Sequence, residues 1–143
     1  MGLRPYNNSR FAGEMLVAAE LARLGYEVTL GNVGSHKTRA FDLMAGDPVT
    51  GRTVGISVKS LKTRNSFFID PESLKAEMFY VFVITGPAGA QPTFYVLKGS
   101  TLLGDEARFF GKWGRAYQKA ARGITPGPAL DEFRNNWRVL DEE

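Results

Sequence analysis

The sequence predicts an α/β fold, in which a single domain has a central mixed four- to five-stranded sheet flanked by helices. Three observations support this prediction. A segment rich in Ala and Leu, Ser9 to Gly25, has the composition of a helix. Several apolar runs of strand length follow it before residue 98. The chain has 143 residues, which is the size of one ordinary domain.

The first predicted helix carries an acid on its apolar side. Ser9 suits the N-cap and Gly25 suits the C-terminal stop. At roughly 100° per residue, Glu14 falls inside an apolar arc formed by Phe11, Met15, Ala18, Ala19, Leu21 and Ala22. Burying an unpaired charge is costly, so Glu14 should have a partner or a chemical role. The alternative places Glu14 at the edge of the arc, where it reaches water or pairs with Arg10.

The strands are predicted from alternating or continuous apolar runs. The longest continuous run, Phe79 to Ile84, is typical of an interior strand that is covered on both faces. The other predicted strands are Tyr26 to Leu30, Arg39 to Ala45, Val54 to Leu61 and Thr93 to Leu97, the middle two being joined by the turn Asp47 to Gly51.

Two further helical segments are predicted. Asp70 and Pro71 are typical of a helix start, and they would open a short helix that ends near Glu77. The chain turns helical after Gly104, and a last helix, Pro128 to Leu140, would dock on the core through Leu130, Phe133, Trp137 and Leu140. We therefore expect one domain, residues 1–143, with a core at 9–97 and a C-terminal helical extension at 104–140.

Composition excludes several classes of site. The chain has no cysteine and one histidine, His36, so Cys/His zinc sites and Cys–His nucleophiles are excluded. The first ten residues are too polar for a signal peptide, and no apolar run approaches the ~20 residues that span a bilayer. We expect a cytoplasmic protein.

The positive charge is unevenly distributed. The net charge is only +3, but residues 52–64 include Arg52, Lys59, Lys62 and Arg64 and no acid. Basic clusters favour polyanions, although each cluster taken alone is equally consistent with a solvated surface. The predicted loop that precedes the second strand adds Lys37 and Arg39 beside His36. We expect Lys37, Arg39, Lys62 and Arg64 to contact nucleic acid.

A candidate site lies on the two strands joined by the Asp47 turn. If side chains alternate between faces, Phe41 and Leu43 point one way and Asp42 the other. On the next strand the same alternation places Ser57 and Lys59 together, opposite Val54, Ile56 and Val58. A hairpin would then bring a carboxylate, a hydroxyl and an ammonium to one side of the sheet. Metal-assisted hydrolases need such a set, with an anion for the cation and a positive charge near the attacking water.

The sequence resembles the PD-(D/E)XK nuclease superfamily in the order of its elements and in three short motifs. These motifs are Gly13-Glu14 on the helix, Phe41-Asp42-Leu43 on one strand and Ile56-Ser57-Val58-Lys59 on the next. The resemblance covers about Ser9 to Leu97 and implies a restriction-endonuclease-like fold. It further implies that Asp42 binds the metal, that Lys59 lies near the nucleophilic water, and that Glu14 is the helical carboxylate beside the metal.

The sequence departs from that family at Ser57, where the family has Glu, Asp or, in some branches, Gln. A neutral hydroxyl is a poor ligand for a hard divalent cation, so Ser57 would contribute at most a hydrogen bond or a water-mediated contact. Asp42, Glu14, the Val58 carbonyl and waters remain as ligands. They would hold one Mg²⁺ or Mn²⁺ weakly, with help from a DNA phosphate, or else catalysis has been lost.

Two functions follow as expectations. The first is a metal-dependent DNA endonuclease that hydrolyses phosphodiester bonds with Mg²⁺ or Mn²⁺ as cofactor. The alternative is a catalytically degenerate nuclease-fold module that binds nucleic acid or a protein partner. The sequence leaves open whether two copies pair as a homodimer to cut both strands.

Overall fold

A computed structural model describes residues 8–31, 41–110 and 122–142. In chain order the elements are α1 (Ser9–Arg23), β1 (Glu27–Leu30), β2 (Leu43–Gly46), β3 (Thr53–Leu61), β4 (Phe67–Ile69), a 3-10 turn (Pro71–Ser73), β5 (Phe79–Ile84), β6 (Thr93–Lys98), α2 (Gly99–Gly104), α3 (Glu106–Phe110), β7 (Arg122–Ile124), α4 (Pro128–Asp131) and a final 3-10 turn (Trp137–Asp141).

Five strands form one mixed sheet in the order β1-β2-β3-β5-β6. The β1–β2, β2–β3 and β5–β6 pairs are antiparallel, whereas β3 and β5 are parallel. The predicted α/β class and mixed sheet are therefore confirmed. A second, two-stranded sheet, in which β4 pairs antiparallel with β7, was not predicted.

The two faces of the main sheet carry separate hydrophobic clusters. Val81 and Val83 of β5 belong to the cluster that also contains Val17 and Leu21 of α1. Their neighbours on the same strand belong to the other cluster, which comprises Phe67, Ile69, Leu74, Met78, Tyr80, Phe82, Tyr95, Leu97, Leu102, Phe109, Phe110, Ile124 and Leu130. Because side chains alternate along a strand, this division explains the continuous apolar sequence of β5.

Helix α1 packs on β3 through a glycine. A Cβ on Gly13 would lie 2.7 Å from the Ser60 Cβ and 3.0 Å from Val83 Cγ1, so the close approach requires a residue without a side chain. The buried residues of α1 are Gly13, Glu14, Val17 and Leu21. The apolar arc predicted from the sequence is rotated by roughly 110° from the buried face at 100° per residue, and Phe11 is 59% exposed. Alanine occurs on both sides of this helix and gives little contrast, so the glycine contact decides the face.

The ends of α1 were predicted more closely. Gly25 has φ of +100° and follows the helix as its stop. Ser9 is the first helical residue, and Asn8 holds the N-cap position without a side-chain hydrogen bond.

The strand predicted from Arg39 begins at Leu43 in the described part of the chain, and residues 32–40 lie outside it. Phe41 and Leu43 do not share a face, since Leu43 joins the α1-side cluster and Phe41 packs against the other. The chain bends at Asp42, which breaks the alternation.

The helix predicted from Asp70 to Glu77 is only a 3-10 turn. The Asp70 side chain accepts a hydrogen bond from the Glu72 N–H at 2.9 Å, as expected at a helix start. Leu74 then takes an extended conformation with ψ of 138° and is buried, which ends the turn.

The single helix predicted from Pro128 to Leu140 is two short segments. Asn135 has φ of 53°, and its N–H donates to Phe94 O at 2.9 Å, while Val96 N–H donates to Phe133 O at 3.0 Å. Backbone bonds to β6 thus replace helical ones. The four residues expected to dock on the core do so, with Leu130, Trp137 and Leu140 buried and Phe133 packed against the core.

The last described residues are hydrogen-bonded to Tyr26 and Arg52, which immediately precede β1 and β3. The Arg52 guanidinium donates to Leu140 O and Glu142 O, each at 2.8 Å. The Tyr26 hydroxyl donates to the Asp141 carboxylate. Burial, with that hydrogen bond, raises the pKa of the Tyr26 phenol. Among the described residues, no helix is long and apolar enough to cross a membrane.

Replacing Gly13 tests the helix–sheet contact. Gly13→Ala should lower the free energy of unfolding by about 1–3 kcal/mol because overpacking outweighs the gain in helix propensity of about 1 kcal/mol. Adding Ser60→Gly, which removes the nearest clashing atoms, should restore part of the loss. Urea denaturation measures both variants.

The control is Gly104→Ala at the end of α2, where an added Cβ meets nothing within 4 Å. This variant should be as stable as the parent. A Gly13→Ala protein with undiminished stability would show that α1 does not seat on β3 as described.

Candidate active site

A cleft of about 370 Å³ opens at the carboxyl end of β3. It is formed by side chains from α1, from the residue before β2, from β3 and from β4. The lining residues are Arg10, Asp42, Val58, Lys59, Ser60, Leu61, Phe67 and Phe68. Three of them are charged, so the cleft combines one carboxylate with two cations.

Asp42 is held by hydrogen bonds to both its backbone and its side chain. Its N–H donates to Ile56 O at 2.9 Å, and its carbonyl accepts the Gly31 N–H at 2.7 Å. Its Oδ2 accepts the Val58 N–H at 2.7 Å and the Ser57 hydroxyl at 3.5 Å. These bonds extend the β2–β3 ladder past Leu43 and place the carboxylate at the cleft with one oxygen engaged by the protein.

Ser57 and Lys59 are alternate residues of β3 and therefore point to the same face. Lys59 is half-buried and lines the cleft with Asp42. Ser57 is 9% exposed, does not line the cleft, and directs its hydroxyl toward the Asp42 carboxylate. The structure thus brings Asp42 and Lys59 to one cleft. Ser57 lies next to Asp42 but outside the lining of the cleft.

Glu14 reaches the cleft indirectly. It is 6% exposed, and its Oε2 lies 3.6 Å from Arg10 Nε, one helical turn earlier. The Arg10 side chain is 84% exposed and lines the cleft, whereas Glu14 does not. The buried position and the pairing with Arg10, which were alternatives at the level of sequence, occur together.

The donor set bears on which cation the site would take. Because N–H and C=O of one strand residue point to the same edge, the Val58 carbonyl lies on the side of Asp42, which accepts the Val58 N–H. Within the described ranges, no three His, Cys, Asp or Glu residues are grouped as a metal site. Mg²⁺ keeps several waters and takes one or two carboxylates together with substrate phosphates. These residues fit a cation that binds together with its substrate.

The predicted nucleic-acid contacts lie outside the cleft or outside the described residues. Lys62 and Arg64 are exposed. Lys62 lines a separate groove with Ser9, and Arg64 Nη2 lies 3.8 Å from where a Cβ of Gly127 would be. Lys37 and Arg39, with His36, fall in the segment 32–40 that the structure does not describe.

Sequence reasoning missed Phe68 and Gly31 at the site, and it did not predict that Arg10 would line the cleft. Phe68 on β4 lines the cleft and is 71% exposed. Gly31 follows β1, and a Cβ there would lie 2.5 Å from Phe41 O and 2.8 Å from Asp42 O, so a glycine is needed for the approach that fixes Asp42. A polar Asn-Ser pair followed by Phe-Phe-Ile was the available signal for β4, but three residues are too few to establish a period.

Comparisons with known proteins support the fold. No protein family matches the sequence, and no curated protein matches it. The structure is similar to that of a bacterial homing endonuclease, I-Ssp6803I, with a TM-score of 0.55 and 12% sequence identity, over 94% of this chain and 93% of that chain. The chain therefore has the fold of a nuclease.

Two substitutions separate the structural role of Asp42 from its charge. Asp42→Ala should lower the free energy of unfolding by about 1–3 kcal/mol, since it leaves the Val58 N–H without its acceptor in a buried position. Asp42→Asn retains an acceptor oxygen and should cost less than half as much. Urea denaturation of the two proteins at neutral pH measures the difference. Equal stability of both variants and the parent would mean that the Val58 bond does not stabilise the fold.

Proposed function

We propose that this protein is a metal-dependent DNA endonuclease of the PD-(D/E)XK type, which hydrolyses phosphodiester bonds in the cleft at the end of β3. The observation that carries the proposal is the meeting of Asp42 and Lys59 in that cleft. The similarity to a homing endonuclease structure supports it at the level of the fold.

The charged residues have complementary roles in this proposal. The Lys59 ammonium has three donors, with which it orients the attacking water and stabilises the negative charge that develops on the phosphate. Arg10 contacts the DNA phosphate while it balances the buried charge of Glu14. The Ser57 hydroxyl and the Val58 N–H fix the orientation of the Asp42 carboxylate.

Asp42 and the Val58 carbonyl, together with waters and a substrate phosphate, are the groups proposed to hold Mg²⁺ or Mn²⁺; Glu14 does not line the cleft and acts through its ion pair with Arg10. A divalent cation bound there would supply Lewis-acid stabilisation of the phosphate oxygens.

A second candidate function is supported by the hydrogen bonding of Asp42 and by the hydroxyl of Ser57. One Asp42 oxygen already accepts the Val58 N–H, and the neighbouring position offers a buried hydroxyl instead of a second acid. If Asp42 served only to accept the Val58 N–H, it would hold no metal, and the cleft would bind DNA without cutting it. This alternative is a degenerate nuclease-fold module that binds nucleic acid or a protein partner.

Cleavage assays distinguish the two functions. We expect cutting of DNA that requires Mg²⁺ or Mn²⁺, stops with EDTA, and falls at least about 100-fold in Asp42→Asn and Lys59→Ala proteins. Both variants should still bind DNA, because the phosphate contacts that attract it are spread over several cations. Gel assays on single-stranded, duplex and branched DNA, with anisotropy for binding, measure the two properties.

The matched control is Lys75→Ala, which removes an exposed lysine that does not line the cleft. Affinity for DNA should fall as salt rises in every one of these proteins. Salt-sensitive binding without metal-dependent cutting on the whole panel would favour the degenerate module. If the proteins neither bind nor cut DNA, the result would favour a module that binds a protein partner.

Ser57→Glu tests the departure from the family pattern. The new carboxylate would face Asp42, so the variant should bind Mn²⁺ or Mg²⁺ more tightly than the parent. Without metal, the new buried carboxylate and the half-buried Asp42 carboxylate repel each other, so the melting temperature should fall; added Mn²⁺ should raise it by more than in the parent. Titration calorimetry and thermal unfolding measure these effects.

Ser57→Gln is the control, since it adds similar bulk without charge. A folded Ser57→Glu protein that gains no metal affinity over Ser57→Gln would indicate that position 57 does not face the cation.

A further inference from the structure

Phe68 is an aromatic residue that the fold leaves outside the core. On β4 its neighbours Phe67 and Ile69 are 1% and 4% exposed, whereas Phe68 is 71% exposed. Alternation along the strand explains why the side chain points outward, but packing does not explain why it is aromatic. The ring lines the same cleft as Asp42 and Lys59.

The strand opposite leaves this ring uncovered. Phe68 pairs with Gly123 of β7, and its Cε1 lies 3.7 Å from where a Cβ of Gly123 would be. A ring that lies over a strand glycine can stabilise a sheet. At 71% exposure, however, most of the ring meets water, so this contact uses only a small part of it.

The charges around the ring indicate what it binds. Arg10 and Lys59 line the cleft beside it and supply positive charge, which suits a polyanion better than an apolar peptide or a second copy of this basic chain. Proteins that bind single-stranded nucleic acid combine such cations, which follow the backbone, with aromatic rings on which bases stack. In an intact duplex the faces of the bases are already stacked on each other, so a ring in the cleft has no base face to contact unless a base is unpaired.

We propose that Phe68 stacks on an unpaired base next to the phosphate that contacts Arg10 and Lys59, and that the cleft therefore selects DNA with unpaired bases at this position over continuous duplex. This inference rests on the proposed nuclease function and specifies its substrate class. It makes Phe68 a specificity-determining residue.

Binding measurements in EDTA test the inference independently of cleavage. The probes are one fluorescent oligonucleotide presented as a continuous duplex and the same sequence with a short unpaired segment that carries 2-aminopurine. Phe68→Ala should weaken binding to the unpaired probe by roughly 5-fold to 150-fold, from stacking energies of alanine substitutions, and should change duplex affinity by less than about 2-fold. Stacking in the parent should change the fluorescence of 2-aminopurine, and Phe68→Trp should retain both that change and the preference for the unpaired probe.

Phe11→Ala is the matched control, because Phe11 is another exposed phenylalanine that does not line the cleft. It should bind both probes as the parent does. If Phe68→Ala does not fold, Phe68→Leu replaces it, since leucine covers Gly123 but has no aromatic face, and the same selective loss is expected.

Each contrary outcome has a separate meaning. Equal losses on both probes, or a parent that prefers the duplex, would overturn the role of Phe68 and leave the proposed nuclease function standing. A parent that binds neither probe would overturn the proposed function and this inference together.

Discussion

Strand β3 has to satisfy hydrogen bonds on both edges, and this requirement places the acid of the site. On one edge β5 accompanies β3 as far as Leu61, whereas β2 begins opposite Ile56. A buried backbone N–H beyond that point needs another acceptor. The Asp42 carboxylate supplies it to Val58. The pairing of the strands therefore sets the position of the Asp42 carboxylate. The hydrogen bond from the Val58 N–H holds this negative charge at the cleft.

The sheet could be predicted from sequence because its signals are local. The continuous apolar run of β5 and the turn between β2 and β3 are each contained in a few consecutive residues. The second sheet could not be predicted, since β4 and β7 are three residues each and pair across a long sequence separation. The prediction of a single final helix was wrong for a related reason. The backbone hydrogen bonds between residues 133–135 and β6 are tertiary contacts, and they override the helical spacing of the apolar residues.

The candidate site divides in the same way. Asp42, Ser57 and Lys59 come from one hairpin, so strand alternation was enough to predict that Ser57 and Lys59 share a face. The position of Arg10 depends on how α1 is rotated against the sheet, which a glycine contact decides and an alanine-rich sequence does not reveal. Phe68 lies at the cleft on strand β4, which forms a sheet only by pairing with the distant strand β7. The two residues proposed to contact the substrate beside Lys59, Arg10 and Phe68, both reach the cleft through long-range packing.

The packing of the last turn has a consequence for how the chain folds during synthesis. Trp137, Val139 and Leu140 belong to the same hydrophobic cluster as Val17 and Leu21 of α1, and Arg52 holds the carbonyl of Leu140. Contacts between such distant residues form late and slow folding. On the ribosome, α1 lacks these partners until residue 140 has left the exit tunnel. The helix that carries Arg10 and Glu14 is thus fully packed only after this segment has been translated.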